Sequence, residues 1–144
     1  MKNQELLKEA INLHLSGKKT SAIEVYRKIL ISEPSNLIVL NNLGSLLNTI
    51  NKYKEAKILL KQALKIKPDY IDALNNLGIS TKLNKEYLEA IKIFEKIVEL
   101  KPNFIKAFIN LGNCLQSQKK FEKALVIYNK ALDIEPNSVE VLYN

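Results

Sequence analysis

The sequence predicts an all-α fold, a solenoid of four 34-residue helix-turn-helix repeats followed by the start of a fifth. Two observations predict it. The four prolines are spaced 34 residues apart, at Pro34, Pro68, Pro102 and Pro136. Small residues follow the same step, at Ala22, Ala56, Ala90 and Ala124 and at Gly44, Gly78 and Gly112. A fixed period of this length over a whole chain is typical of stacked helix pairs.

The period divides the chain into a single array with repeats at about 3–36, 37–70, 71–104 and 105–138 and a partial repeat at 139–144. A first helix is expected to begin after each proline, because the next residue is a good helix N-cap in every repeat: Ser35, Asp69, Asn103 or Asn137. The helix should run to a polar break near Gly17, Asn51, Asn84 or Lys119. A second helix follows and ends at the next proline, which cannot continue it.

Helical geometry predicts which faces of the third repeat are buried. In the first helix, Leu74, Leu77 and Gly78 fall on one narrow stripe. The matching stripe of the second helix contains Tyr87, Ala90, Phe94 and Ile97. The small residues Gly78 and Ala90 predict that the two helices approach closely as an antiparallel pair. One pair cannot bury both of its faces, whereas stacked pairs can.

Composition is typical of a folded protein, with 47% hydrophobic and 26% charged residues. The net charge of +7 could attract nucleic acid. However, Arg27 is the one arginine, and specific phosphate and base recognition favours arginine over lysine. A dedicated nucleic-acid site is therefore not expected.

Sequence features also predict where the protein resides. No apolar run approaches the ~20 residues of a membrane span. The amphipathic start, MKNQELLKEA, lacks the apolar segment of a signal peptide. The lone cysteine, Cys114, cannot form an internal disulfide, which suits a reducing compartment. Together these features predict a cytoplasmic protein.

No residues are spaced for catalysis. His14 and Cys114 are the one histidine and the one cysteine, and they lie three repeats apart, too far to form a nucleophile–base pair. There is no phosphate-binding glycine loop and no metal-ligand spacing. We therefore expect no catalytic residues, no metal and no cofactor, and the chain by itself is not expected to be an enzyme.

The stretch AFINLGNCLQSQKKFEKALVIYNKALDIEPNS, residues 107–138, resembles the tetratricopeptide repeat at its signature positions: Phe108, Leu111, Gly112, Ala124, Tyr128, Ala131 and Pro136. The resemblance covers essentially residues 3–144. It implies a right-handed α-α superhelix whose first helices line a concave groove. The first repeat departs from the pattern, with Glu9 and Ala10 in place of Leu-Gly, and is expected to act as a solvent-facing cap.

An asparagine recurs eight residues after each proline, at Asn42, Asn76, Asn110 and Asn144. Asparagine is a mediocre helix former, so its return at one phase needs an explanation. On a helical wheel it lies opposite the core leucines, and the resemblance places that side in the groove. A carboxamide matches the N–H and C=O of an extended peptide. Packed helices are about 8–10 Å apart, so one asparagine per repeat would meet about every third residue of a strand.

This predicted column is similar to the asparagine column in the superhelical repeats of the O-linked N-acetylglucosamine transferases. Four amides alone would give only about millimolar binding, so side-chain contacts should add to them. The other residues expected on the groove side are Ile38, Asn41, Ser45, Asp72, Asn75, Ile79, Lys106, Ile109 and Asn113. The alternative is that the asparagines are exposed polar residues that bond between adjacent helices.

We expect a scaffold that binds a peptide or protein in extended conformation, without membrane association. The alternatives are the substrate-recognition arm of a larger enzyme, such as a glycosyltransferase or other group-transferase, and an RNA-binding helical repeat. The carboxylate clamp of chaperone-binding members is not expected, because the aligned residues supply too few cations. The chain ends inside a predicted helix without a capping helix, so it could be a fragment or could associate end to end through the C-terminal repeat.

Overall fold

A computed structural model describes residues 2–142, and these residues form helices joined by short turns, with no strand among them. The helices are α1 (Lys2–Leu15), α2 (Lys19–Ser32), α3 (Leu37–Asn48), α4 (Tyr53–Ile66), α5 (Ile71–Leu83), α6 (Tyr87–Leu100), α7 (Ile105–Ser117), α8 (Phe121–Ile134) and the short α9 (Val139–Leu142). In the described range no helix combines the length and the apolar character that a bilayer crossing requires.

The chain forms two compact units, Met1–Asn76 and Leu77–Asn144, whose boundary lies inside α5. In the first unit α1 packs against α2, α2 against α3, and α3 against α4. In the second unit α6 packs against α7 and α7 against α8, while α9 contacts α8. Within each unit these helices, which are adjacent in the sequence, are thus neighbours in space, as the repeat pattern predicts.

Each repeat buries a large side chain from its second helix at one phase: Tyr26, Leu60, Phe94 and Tyr128. The glycines of the first helices provide the space for them. A methyl group added to Gly78 would lie 2.6 Å from Cζ of Phe94, and one added to Gly44 would lie 2.7 Å from Cγ of Leu60. Such distances are well below van der Waals contact, which explains why these positions carry glycine. The close approach predicted at Gly78 is present, and the ring of Phe94 fills it.

The turn between the two helices of a repeat contains one residue in the left-handed conformation. These residues recur every 34 positions, at Gly17, Asn51, Lys85 and Lys119, with φ of 76°, 62°, 63° and 57°. The next N–H donates to the carbonyl five residues earlier, for example Glu86 to Thr81 at 3.0 Å and Lys120 to Leu115 at 2.9 Å. This is the Schellman arrangement that closes a helix C-terminus. The predicted breaks between helices are therefore confirmed.

The predicted helix N-caps were wrong by one residue, for example Ser35 in place of Asn36 and Asn103 in place of Phe104. The residue after each proline lies in a turn rather than at an N-cap, because the N–H of Asn36 donates to the carbonyl of Glu33 at 3.1 Å across Pro34. The same bond recurs from Tyr70, Phe104 and Ser138. Proline is favoured at the second position of such a turn, and Ser, Asp and Asn are common turn residues as well as caps. The side chain of Asn36 is the cap in α3, accepting from the N–H of Val39 at 3.1 Å.

Candidate functional site

The predicted asparagine column falls on the first helices of the repeats. Asn42 lies on α3, Asn76 on α5 and Asn110 on α7, and all three side chains are partly exposed. Asn144, the fourth member, lies outside the described residues. Each of the three has a hydrogen-bonding partner within its own unit.

In the first unit, carboxamides connect α3 to α5. Nδ2 of Asn76 donates to Oδ1 of Asn41 at 2.9 Å. Nδ2 of Asn48 donates to the backbone carbonyl of Asn76 at 3.1 Å. A longer contact of 3.5 Å runs from Nδ2 of Asn41 to Oδ1 of Asn42. These asparagines therefore contribute to packing between repeats.

The same unit contains an aromatic and polar cluster around Tyr26. Burial raises the pKa of Tyr26, and a hydrogen bond with the side chain of Asn42 partly offsets this rise. The Tyr26 hydroxyl lies 3.5 Å from Nδ1 of His14, and the two rings meet edge to face at 6.2 Å. Burial and, less strongly, the charge of Lys19 lower the pKa of His14. His14 is partly buried against Tyr26, and with its lowered pKa it is neutral at pH 7.

In the second unit, Asn110 and Asn113 have side-chain partners of different kinds. Oδ1 of Asn110 accepts a hydrogen bond of 2.5 Å from Nζ of Lys82. Oδ1 of Asn113 accepts one of 2.5 Å from the hydroxyl of Tyr128. Cys114 is fully buried, and burial raises its pKa to about 11, partly offset by the charge of Lys82. The thiol is therefore protonated at neutral pH.

Polar residues also recur every 34 positions near the ends of the first helices, and sequence reasoning missed them. They are His14, Asn48, Lys82 and Gln116. Two of them bond to the asparagine 28 residues later, Asn48 to the backbone of Asn76 and Lys82 to the side chain of Asn110. The available signal was the 34-residue recurrence of polar side chains close to the apolar stripe. Asn48 and Lys82 therefore help to hold Asn76 and Asn110, the asparagines of the predicted column, in place.

The remaining residues predicted on the groove side differ in exposure. Ile38 is 50% exposed, Asp72 and Lys106 are exposed, and four are partly exposed: Ser45, Asn75, Ile79 and Asn113. Asn41 and Ile109 are buried, at 8% and 3%. Those two therefore present little surface to a ligand.

The C-terminal repeat carries an apolar depression on its own surface. A cavity of about 470 Å³ is lined mainly by α8 and α9, including Leu132, Val141 and Leu142. Phe121 and Leu125, which also line it, are each 61% exposed. Self-association through this repeat stays a prediction.

Among residues 2–142 there is no group of three or more His, Cys, Asp or Glu side chains that could hold a metal ion. The polar clusters described above instead consist of asparagine amides, two tyrosine hydroxyls, the imidazole of His14 and the ammonium of Lys82. Such groups can form hydrogen bonds with a ligand.

Sequence comparison identifies the repeats. Models of the tetratricopeptide repeat match residues 38–70, 71–104 and 105–138. The first repeat is not matched. It is the repeat in which Glu9 and Ala10 depart from the pattern. Among curated proteins no significant match is found.

Solved structures resemble the chain over nearly its whole length. MamA 41-end from Desulfovibrio magneticus RS-1 is 23% identical, with a TM-score of 0.90 over 95% of this chain and 77% of that one. Another crystal structure of MamA is 26% identical, with a TM-score of 0.89 over 96% and 81%. A tetratricopeptide repeat protein from Parabacteroides merdae ATCC 43184 is 22% identical, with a TM-score of 0.86 over 96% and 56%. These likenesses confirm the predicted fold class.

Proposed function

Because the chain belongs to the tetratricopeptide repeat family, we propose that it is a non-catalytic scaffold that binds an extended segment of a partner protein along the first helices of its repeats. The carboxamides of Asn42, Asn76 and Asn110 hold the backbone of that segment. Nearby apolar side chains such as Ile38 and Ile79 add contacts with the side chains of the ligand.

The observation that carries the proposal is the incomplete hydrogen bonding of the partly exposed Asn110 side chain. Its side chain is partly exposed, and Lys82 bonds to its oxygen. Within residues 2–142 its Nδ2 donates no hydrogen bond. A carboxamide has two donors and two acceptor lone pairs, so Asn110 keeps N–H groups able to donate to a peptide carbonyl.

Hydrogen bonds to the peptide backbone would let the site accept many sequences. Each net hydrogen bond contributes roughly 0.5–1.5 kcal/mol, so three such contacts give weak binding by themselves. Side-chain contacts must then supply the remaining affinity. The half-exposed Ile38 is placed to do so on α3, since burial of apolar surface is the main favourable term in such associations.

The test is a binding screen of the purified chain on immobilised peptides of varied sequence. Each retained peptide is then remade with N-methylated amides and, separately, with alanine replacements. If the asparagines hold the backbone, the N76A/N110A variant should bind retained peptides about tenfold or more weakly, the loss of two hydrogen bonds. N-methylation at every third position should weaken wild-type binding similarly.

A matched control is the N12A/N129A variant, because Asn12 on α1 and Asn129 on α8 are both exposed. It should bind as the wild type does. Binding is measured well below the melting temperature of every variant, so that all are fully folded. Unchanged affinity of N76A/N110A would show that the asparagines serve only packing.

A further inference from the structure

Lys82 is a cation among neutral groups. It lies in the last turn of α5, is partly buried, and its ammonium donates to Oδ1 of Asn110 at 2.5 Å. Its charge also reaches the thiol of Cys114, which is protonated at neutral pH because its pKa is about 11. Among residues 2–142 no carboxylate lies within ion-pair distance of Lys82. Partial burial of a charge is unfavourable unless an opposite charge accompanies it.

Two sets of donors remain available at this point. An ammonium has three N–H donors, and Asn110 uses one of those of Lys82. Nδ2 of Asn110 itself donates to none of the described residues. Two neighbouring donor groups, one of them charged, match the two oxygens of a carboxylate. A single lysine supplies one positive charge, whereas phosphate recognition favours arginine.

We infer that Lys82 and Asn110 form a subsite for one carboxylate of the bound peptide, so that an acidic side chain or a free C-terminus fixes the register of the ligand. This inference rests on the proposed peptide-binding function and adds to it the chemical class of the ligand. The asparagines would form hydrogen bonds with the peptide backbone, and Lys82 would favour peptides that place a carboxylate beside it.

The repeat pattern confines the charge to one repeat. The residues at the same phase as Lys82 are Asn48 and Gln116, which are neutral, and His14. Burial lowers the pKa of His14, so it too is neutral at pH 7. A ligand would therefore meet one cation at this phase. The charge thus specifies a register rather than a general preference for acidic sequences.

The test uses positional libraries of short acetylated peptides, with Glu, Gln or Leu fixed at one position and the others randomised. Each library is made as the free acid and as the C-terminal amide. The wild type should retain Glu pools about tenfold more strongly than Gln pools at one position, or free acids more strongly than amides. The first result assigns the carboxylate to a side chain and the second to the C-terminus.

The K82M variant keeps the aliphatic stem and should lose this preference, while K82R should retain it and thereby show that the fold tolerates changes here. K92M, which removes an exposed lysine of α6, is the matched control and should behave as the wild type. A preference for Glu that persists in K82M overturns the inference. Peptides bound without any acidic preference overturn it while leaving the scaffold function intact, and a library with no bound peptides contradicts both.

Discussion

Nδ2 of Asn76 donates a hydrogen bond of 2.9 Å to Oδ1 of Asn41, 35 residues earlier in the chain. A carboxamide can take part in four hydrogen bonds, so a bond between repeats and a bond to a ligand can coexist on one side chain. The packing role and the proposed ligand-binding role of the column are thus compatible. They must be separated by experiment, because truncation of Asn76 should also cost about 0.5–1.5 kcal/mol of stability.

The residue that directly precedes each asparagine of the column differs between repeats in its hydrogen bonding, and the effect of this difference on stability can be measured. Oδ1 of Asn41 has its partner in Asn76, whereas Oδ1 of Asn75 is buried without a hydrogen bond among the described residues. The corresponding residue of α7 is Ile109, which is buried. Because an unsatisfied buried acceptor costs about 1–3 kcal/mol, Asn75→Ile should raise the free energy of unfolding by about 1 kcal/mol or more.

The control for this prediction is Asn41→Ile, the same change at the same phase of the preceding repeat. It removes the acceptor that Asn76 uses and should lower the free energy of unfolding by about 1 kcal/mol. Urea unfolding followed by circular dichroism measures both variants. Equal effects of the two substitutions would mean that the hydrogen bonds of the two asparagines do not differ in solution.

The fold could be predicted from the sequence because its main determinants are local and repeated. Prolines end the second helices, and the residues of the turns recur with the same period. The helix starts were misplaced because Ser35 and its counterparts favour both caps and turns. Only the bond from Asn36 to Glu33 across Pro34 shows which of these two roles is used.

The candidate site was less predictable. The helical wheel places Asn42, Asn76 and Asn110 away from the core leucines, and the three side chains are partly exposed, while their position in a groove stays a prediction. It could not show that Asn41 and Asn48 bond to the next repeat, because such contacts depend on the spacing and rotation of stacked helices. Ile109 is buried because neighbouring helices cover a position that would be exposed on an isolated helix.

The contact between Gly78 and Phe94 predicts a penalty for adding a single methyl group. Gly78→Ala places Cβ 2.6 Å from Cζ of the ring, and overpacking typically costs about 1–3 kcal/mol. The better helix propensity of alanine returns about 1 kcal/mol, so a net loss of up to about 2 kcal/mol is expected in urea unfolding. The loss should shrink in a Phe94→Leu background, as a double-mutant cycle would measure. A penalty that is unchanged in that background would place the strain elsewhere.

Two lysines have a left-handed backbone conformation, and we predict that replacing each of them by glycine increases stability. Lys85 and Lys119 have φ of 63° and 57°, a conformation that costs a residue with a side chain about 1–2 kcal/mol. Glycine adopts it freely but adds about 0.5–1 kcal/mol of backbone entropy to the unfolded state. Lys85→Gly and Lys119→Gly should therefore each raise the free energy of unfolding by roughly 0.5–1 kcal/mol.

Lys120→Gly provides the matched control for Lys119→Gly, since it changes the adjacent lysine, whose φ of −90° is ordinary for any residue. That variant gains no relief of strain and should lose stability through the same entropy term. All three variants remove one positive charge from the surface, so the change in net charge cannot account for opposite signs. If Lys119→Gly and Lys120→Gly shift the urea midpoint equally, the left-handed turn does not limit the stability of this repeat.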